Sequence, residues 1–443
     1  MRDIAIALFV LAMLPLALRN SFVAVLMWCW AGLIGLNTLG YGFMSSISVV
    51  QIFAIIALLG MLFRKEFRGM PEHMHGYPMI LVLMILHGFF CALFAYPGLD
   101  QNWTLFTNML KTALVCLVLP VFLTSRERIN FFILIIACAI SYHSVLDGLK
   151  YLASAGGHNA VGIAKFGDNN HYGMMLVMVI PLWAYLYQYA VSAWMRLACV
   201  GGMFITFMAV LATNSRGALI TVILSAMWLL MFSKRKLLGA FAISLAAVVA
   251  VNVAPDQWFA RMDTIKTADE DASFMGRVTA WKRASAIALE NPVFGGGYHA
   301  GQAWSIFEDF RYRPGLFGRV ETPDVARPAA SHSIYFEVMG DLGFVGLALY
   351  LVCVTTPFYY WWKIRSIVKT KPEDLVWARS LAVALTASMM AYLVGGAALS
   401  VAYFELPYYI ITAIFVLYRL IDGQVALKVT SDQRMLKRAG RAT

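Results

Sequence analysis

The chain has 443 residues, of which 61% are hydrophobic and only 13% are charged, and its mean hydropathy is +0.71. A soluble domain is about 45–50% apolar and about 25% charged, so this composition excludes one soluble core and predicts a protein that crosses a membrane several times. The net charge of +11 does not indicate nucleic-acid binding, because the basic residues fall in short loops between apolar runs, where membrane topology accounts for them.

Thirteen apolar runs are long enough, or nearly long enough, to cross a bilayer. They lie at about 4–18, 22–39, 46–63, 78–95, 104–124, 130–152, 172–190, 194–213, 217–233, 237–254, 334–360, 377–398 and 403–420. In a second interpretation the first two short runs form one broken element. We therefore predict an all-α, polytopic membrane protein with about 12 (12–13) transmembrane helices.

The distribution of Lys and Arg predicts the orientation of the loops. Basic loops near Arg64, Arg126, Lys234 and Lys363 are predicted to be cytoplasmic, whereas the intervening loops and the one long loop face the other side. The predicted parts are 1–254, the first part of the transmembrane bundle; 255–332, the large outer loop with short helices; 333–420, the C-terminal transmembrane helices; and 421–443, a basic cytoplasmic tail.

The long loop contains one candidate amphipathic helix, at about 273–290, which Asn291-Pro292 would end. Residues 295–298, with the sequence GGGY, follow it. A run of glycines permits tight turns or a close approach of two backbones.

Arg216 stands at the outer start of a predicted span, in 213-TNSRG-217. It is either an interfacial anchor or part of an anion site, since a helix N-terminus offers free N–H groups and Arg adds a two-pronged donor. Arg277 lies on the 273–290 helix, and the sequence does not decide its role. For Lys282 and Arg283 we favour a solvated charged face.

His332 lies where the long loop meets an apolar run, in 331-SHSIYFEVMGDLG-343. It has an aqueous side and an apolar side, so its pKa can move in either direction. From position alone, the favoured interpretation is a residue at a helix start that bonds nearby backbone.

Other polar residues lie in or beside the spans. In 167-GDNNHYG-173, Asp168 and Asn169 either cap a helix or line a site, and capping is the predicted role of Asn170. The intramembrane residues His87, His143 and Asp147 are interpreted as inter-helix hydrogen-bonding groups, and Lys111 lies inside an apolar run near the outer side.

The sequence shows no metal-binding motif and no nucleotide-binding motif. The cysteines at 29, 91, 116, 138, 199 and 353 lie in apolar runs without CxxC spacing, so we interpret them as small buried hydrophobic residues rather than disulfides.

Taken in order, SRG at a span start, GRxxAW in the long loop, NPxFGGGY and SHSIYFEVxGDLGFVGL resemble the O-antigen ligase and O-antigen polymerase superfamily. The GDNN motif and the N-terminus MRDIAIALFVLAMLPLALRNSF are most similar to its O-glycosylation ligase branch, found beside exosortase systems. The resemblance covers nearly the whole chain. It implies a fold similar to the GT-C glycosyltransferases, in the bacterial inner membrane, with residues 255–332 as a periplasmic loop.

The resemblance also implies the chemistry. Such ligases move a glycan from undecaprenyl diphosphate to a sugar hydroxyl of the lipid A core, with no metal and no other cofactor. The two functional arginines of the family correspond to Arg216 and Arg277, which would bind the diphosphate, and its histidine corresponds to His332, the expected general base. Glu337 or Asp341 is a candidate for orienting His332.

Further secondary candidates are Tyr298, as a wall for a sugar ring, and Asp168, Asn169 and Lys111. Two other functions remain open. A protein O-glycan ligase or a repeat-unit polymerase would use the same donor, and a transporter of an anionic lipid or solute would also fit the spans. Against the transporter stand the concentration of motif residues on one face and the lack of a recognisable inverted repeat.

Overall fold

The computed structural model describes residues 2–40, 42–162, 165, 167–233, 236–237, 239–240, 244, 248, 272–370 and 374–439. Throughout these residues the regular secondary structure is helical and no strand is present. The all-α prediction is therefore confirmed for this part of the chain.

The longer helices are labelled in chain order. They are α1 (Arg2–Arg19), α2 (Ser21–Ile34), α3 (Val49–Phe63), α4 (Tyr77–Leu93), α5 (Asn102–Phe122), α6 (Arg126–Ala153), α7 (Asn169–Tyr189), α8 (Ala193–Ala212), α9 (Arg216–Phe232), α10 (Ala272–Glu290), α11 (Ile334–Thr370), α12 (Val376–Gly396) and α13 (Glu405–Ala439). Shorter helical segments lie at Leu36–Leu39, Phe43–Ser46, Glu66–Gly69, Met70–His73, Ala300–Gln302, Trp304–Phe310 and Gly315–Phe317.

The helices coincide closely with the predicted apolar runs, and α10 matches the predicted amphipathic helix. The predicted run at 237–254 lies largely outside the described residues, as does 255–271 of the long loop. The last helix extends past residue 420 to Ala439, into the segment predicted as a basic tail.

Among the described residues, six helices are long and apolar enough to cross a membrane: α5, α6, α8, α11, α12 and the part of α13 from Glu405 to Gly423. Four more apolar helices, α2, α3, α4 and α9, have only 14–17 residues. A helix needs about 20 apolar residues to cross the hydrocarbon core. The predicted total of about 12 spans is therefore not confirmed, because several runs are broken or short.

The outer faces of these helices are apolar. On α8, for example, Trp194 is 80% exposed and Leu197 is 60% exposed, and a continuous surface of this kind needs an apolar environment. Five of the six cysteines are buried, as predicted, whereas Cys138 is exposed on α6. All six are free, so the chain carries no disulfide.

α7 lies near the centre and packs against α6, α8, α9 and α12. α11 packs against α10, α12 and α13 and against α4. Because α10 contacts α11, the long-loop helix lies on the helical bundle rather than apart from it. The start of α11 is consequently enclosed by α10, α12 and the loop that follows α12.

α11 is interrupted at Gly343, where φ is 70° and ψ is −172°. The loop after α10 docks into this kink: Gly296 N–H donates to Gly340 O, Gly297 N–H to Asp341 O, and Phe344 N–H to Pro292 O, over 2.8–3.0 Å. A Cβ at Gly295 would lie 2.5 Å from the backbone nitrogen of Gly343. The glycine run therefore serves a close approach of two backbones, as its sequence predicts.

Candidate functional site

His332 lies in the turn that leads into α11, and it is half-buried. Its backbone is left-handed, with φ at 45°, and its N–H donates to Ser400 Oγ over 2.8 Å. A positive φ is uncommon outside glycine and persists where the surroundings fix it. The backbone conformation of His332 is thus set by tertiary contacts.

α10 reaches the same turn. The indole N–H of Trp281 donates to Ser331 O over 2.7 Å, and its ring stacks on Phe336 with centroids 4.9 Å apart. Arg277 lies one turn earlier on α10, half-buried, and its charge acts on His332. Two of the predicted residues, Arg277 and His332, are therefore brought together.

The pKa of His332 is lowered below the ordinary value of 6.5. Burial is the largest cause and the positive charge of Arg277 is the second, while the carboxylates of Asp168 and Glu337 oppose them. An imidazole with a lowered pKa is neutral at neutral pH, so His332 can accept a proton there.

Asp168 and its neighbours dock the start of α7 onto the start of α9. The Oδ1 of Asp168 accepts the N–H of His171 over 2.8 Å, so Asp168 caps α7. Asn169 Nδ2 donates to Thr213 O over 2.7 Å, and Ser215 Oγ donates to Asn170 Oδ1 over 2.8 Å. The GDNN and NSRG motifs are therefore one structural unit.

Arg216 is the first residue of α9, and Ser215 caps this helix by accepting the N–H of Ala218 over 3.2 Å. The preceding residue, Asn214, again has a left-handed backbone, with φ at 51°. The free N–H groups and the positive end of the helix dipole lie beside Arg216, which is the setting expected for an anion site.

Glu337 and Asp341 lie on the first turns of α11 and are each only 4% exposed. Glu337 Oε2 accepts the N–H of Ala402 over 3.0 Å, and Asp341 Oδ2 accepts the hydroxyl of Tyr403 over 3.0 Å. Both carboxylates therefore bind the loop between α12 and α13, and the candidate role of either one in orienting His332 stays a prediction.

His299 is a residue that the sequence reasoning missed. Its Nε2 lies 3.7 Å from Glu337 Oε1, and its backbone is left-handed, with φ at 60°. Burial lowers the pKa of His299, but the hydrogen bond to Glu337 and the charges of Asp341 and Glu337 outweigh burial and raise it overall. The only sequence signal is its place directly after the GGGY run.

Comparison with known families adds to this geometry. Residues 201–351 match the family model described as O-antigen ligase. This match supports the O-antigen ligase superfamily for this part of the chain. Residues 1–191 match a family of unknown function (DUF5935). A search of curated proteins found no match.

The O-antigen ligase segment contains Arg216, Arg277, His299 and His332, together with both buried carboxylates of α11. Asp168 and Asn169 belong to the other matched segment. Since the charge of Asp168 acts on His332 and Ser215 donates to Asn170, the candidate site joins the two matched segments.

Several expectations need correction. Asn170 does not cap α7, because that position belongs to Asp168. Tyr298 is fully buried, with its ring 5.0 Å from that of Tyr403 and its N–H bonded to Asn102, so it offers no wall for a sugar.

Arg283 is only 3% exposed and does not belong to a solvated face. Lys282 is half-buried and donates to Val320 O over 2.7 Å.

The intramembrane polar residues do form inter-helix hydrogen bonds, as predicted. His87 Nε2 lies 3.0 Å from Leu342 O, joining α4 to α11, and His143 Nε2 lies 3.0 Å from Ile34 O, joining α6 to α2. Asp147 accepts the hydroxyl of Tyr172 over 2.9 Å, joining α6 to α7. Lys111 is exposed and donates to Asn108 on its own helix, so its place in the site stays a prediction.

Proposed function

We propose that this protein is an O-antigen ligase that transfers a glycan from undecaprenyl diphosphate to a sugar hydroxyl of the lipid A core. The family match supports a ligase- or polymerase-type glycosyltransferase. The observation that carries the finer proposal is the placement of His332 beside α10, within the field of Arg277, and directly before a helix long and apolar enough to cross the membrane.

The donor presents a diphosphate at the level of the lipid headgroups, because its isoprenoid tail stays in the hydrocarbon. His332 lies two residues before the start of α11, a helix long and apolar enough to cross the membrane, and this place in the chain suits a reaction at the headgroup level. We assign diphosphate binding to Arg216 and Arg277. Each can make charge-assisted, two-pronged hydrogen bonds to phosphate oxygens and stabilise charge that grows as the bond breaks.

In the proposed reaction His332 takes the proton of the acceptor hydroxyl. The hydroxyl oxygen forms a bond to the anomeric carbon, the bond from that carbon to the diphosphate breaks, and undecaprenyl diphosphate leaves with the electron pair. The two arginines supply the positive charge for the leaving group, so the proposed mechanism is metal-independent. It takes place on the periplasmic face of the bacterial inner membrane.

The test is a reconstitution in detergent with purified protein, an undecaprenyl-diphosphate-linked glycan, lipid A core and a chelator, without nucleotide. We compare wild type with His332→Ala and with His75→Ala, a control at an exposed histidine elsewhere. We expect capped lipid A core from wild type and His75→Ala, and loss of transfer by about 10²- to 10⁴-fold in His332→Ala.

Wild-type transfer by a folded His332→Ala protein would overturn the role of His332. No transfer to lipid A core by folded wild type would overturn the acceptor. In that case the same assay is repeated with an acceptor protein and with a second lipid-linked glycan. A glycosylated protein would identify a protein O-glycan ligase, and a longer polymer would identify a polymerase.

A further inference from the structure

The backbone that leads into His332 is held by side chains from two directions. Arg283 Nη2 donates to Ala329 O over 2.7 Å, and Trp281 Nε1 donates to Ser331 O over 2.7 Å. From the opposite element, Ser400 Oγ accepts the N–H of His332 over 2.8 Å. Three side-chain hydrogen bonds thus fix the four residues 329–332.

Arg283 has an unusual place for an arginine. It is 3% exposed, its guanidinium lies 5.2 Å from the centroid of the Phe307 ring, and its Nε has no hydrogen-bond partner. Burial lowers its pKa to about 10. Among the described residues no carboxylate pairs with Arg283, and an unpaired buried charge is costly. Its hydrogen bond to Ala329 O ties this arginine to the segment that carries His332.

Ser400 belongs to a loop that the two buried carboxylates of α11 bind. It lies in the loop between α12 and α13, where Ala402 N–H donates to Glu337 and the hydroxyl of Tyr403 donates to Asp341. Glu337 and Asp341 thus bind the same loop whose Ser400 hydroxyl accepts the N–H of His332.

These contacts matter because the backbone of His332 is left-handed. A non-glycine residue at positive φ costs of order 1–3 kcal/mol and persists only where the surroundings determine it. When a holding contact is removed, the backbone can relax toward an extended conformation, which moves the imidazole away from the reacting hydroxyl. A misplacement of about 1 Å can cost about 10²-fold in rate.

We propose that Trp281, Arg283 and Ser400 are positioning residues that clamp the backbone of residues 329–332 and so hold the His332 imidazole at the reacting hydroxyl. We call these three side chains the His332 clamp. The inference rests on the proposed role of His332 as general base, and none of the three residues needs to touch the substrate.

The test measures kcat, the KM for the lipid-linked donor, and the rate at which diethylpyrocarbonate modifies His332, followed by mass spectrometry. Ser400→Ala removes the acceptor, and Ser400→Thr restores a hydroxyl. Trp281→Phe removes the N–H donor and keeps a ring beside Phe336. The matched controls are Ser305→Ala and Trp304→Phe, at exposed positions in the same loop region.

We expect Ser400→Ala and Trp281→Phe to lower kcat about 10- to 100-fold with the KM unchanged within about twofold. His332 should be modified faster in both, because its ring is less buried once the backbone is released. Ser400→Thr and the two controls should stay close to wild type in all three measurements.

Wild-type kcat and an unchanged modification rate in Ser400→Ala and Trp281→Phe, beside an inactive His332→Ala, would overturn the clamp and leave the proposed function standing. A second outcome is faster modification of His332 in both variants together with a fully active His332→Ala protein. The clamp would then still hold His332, but the catalytic role of His332, and with it the proposed function, would be overturned. An equal loss of kcat in the clamp variants and in the controls would also overturn the clamp, because the effect would not be specific to these residues.

Discussion

His332 and His299 reach the same helix from two segments of the long loop, and both have a left-handed backbone, with φ at 45° and 60°. Their surroundings nevertheless move the two pKa values in opposite directions. The segment 329–332 enters the start of α11 and places His332 within the field of Arg277, so its pKa is lowered by burial and by that charge. The segment 295–299 docks into the kink of α11 and delivers His299 to Glu337.

Burial lowers the pKa of both histidines, so the difference comes from the charges. His299 has the carboxylate of Glu337 3.7 Å from its Nε2, whereas His332 has the positive charge of Arg277 and the opposing charges of Asp168 and Glu337. The way in which each segment docks, rather than the residue type or the backbone conformation, therefore makes His332 a candidate base and His299 the ion-pair partner of Glu337.

The largest expected effect separates the catalytic roles of the two histidines. His332→Gln should lower kcat for glycan transfer by about 10²- to 10⁴-fold, because it removes the general base. His299→Gln should lower kcat by about tenfold or less, since it perturbs only the partner of Glu337. Both are measured in the reconstituted transfer assay. Equal losses in the two variants would contradict the assignment of separate roles.

A second change should break the docking of the loop that delivers His299. In Gly343→Ala, the new Cβ would lie 2.7 Å from Pro292 O, in a backbone conformation that only glycine adopts readily. We expect the folded state to lose about 3 kcal/mol or more, seen as a lower melting temperature in detergent.

The control for this variant is Gly201→Ala on α8, where nothing lies within 4 Å of the added Cβ. Since alanine is the better helix former, Gly201→Ala should stabilise the protein by about 0.5–1 kcal/mol. A Gly343→Ala protein as stable as wild type would show that the kink does not depend on glycine.

A third change should alter the pKa values of both histidines at once. Glu337→Gln keeps an acceptor for the Ala402 N–H but removes the charge that raises the pKa of His299 and opposes the lowering at His332. The acid limb of the pH–rate profile should move to lower pH, because His332 becomes a weaker base. kcat should fall about three- to tenfold, since the imidazolium formed during transfer loses a neighbouring anion.

Glu308→Gln, at an exposed position on the Trp304–Phe310 helix, is the matched control and should leave the profile unchanged. If the pH–rate profile of Glu337→Gln overlays that of wild type, the charge of Glu337 does not act on either histidine.

The smallest effect concerns stability and pH. Because folding raises the pKa of His299, its protonation stabilises the folded chain. This contribution is fully present below the unfolded pKa of about 6.5, and it is lost as the pH rises through the folded-state pKa. The melting temperature of wild type should therefore exceed that of His299→Gln more at pH 6 than at pH 9. A difference that grows toward pH 9 would contradict the sign.

The helices were largely predictable from sequence because their signals are local. The apolar period, Asn291-Pro292 after α10 and the polar GDNN start of α7 all act within a few residues. The places of Arg216 at the start of α9 and of His332 just before α11 were predictable from local signals as well. Their proposed catalytic roles came from the family resemblance and stay predictions.

What the sequence did not reveal depends on contacts between distant segments. His299 becomes a partner of Glu337 only because the glycine run docks at Gly343, and Ser400 meets His332 across 68 residues. Arg283 was misassigned because a single helix does not show that Phe307 and Ala329 cover that face of α10. The number of membrane spans stayed open because apolar helices of 14–17 residues fit no simple length rule.

The bond between Ser400 and His332 has a consequence for how the protein is made. His332 emerges from the ribosome 68 residues before Ser400, which at about 5–20 residues per second is an interval of about 3–14 s. During that interval the nascent chain already contains Arg216, Arg277 and His332, together with Trp281 and Arg283, but it lacks the third of the contacts that hold residues 329–332. The site is thus completed late in synthesis, once the segment between the last two helices has been inserted beside it.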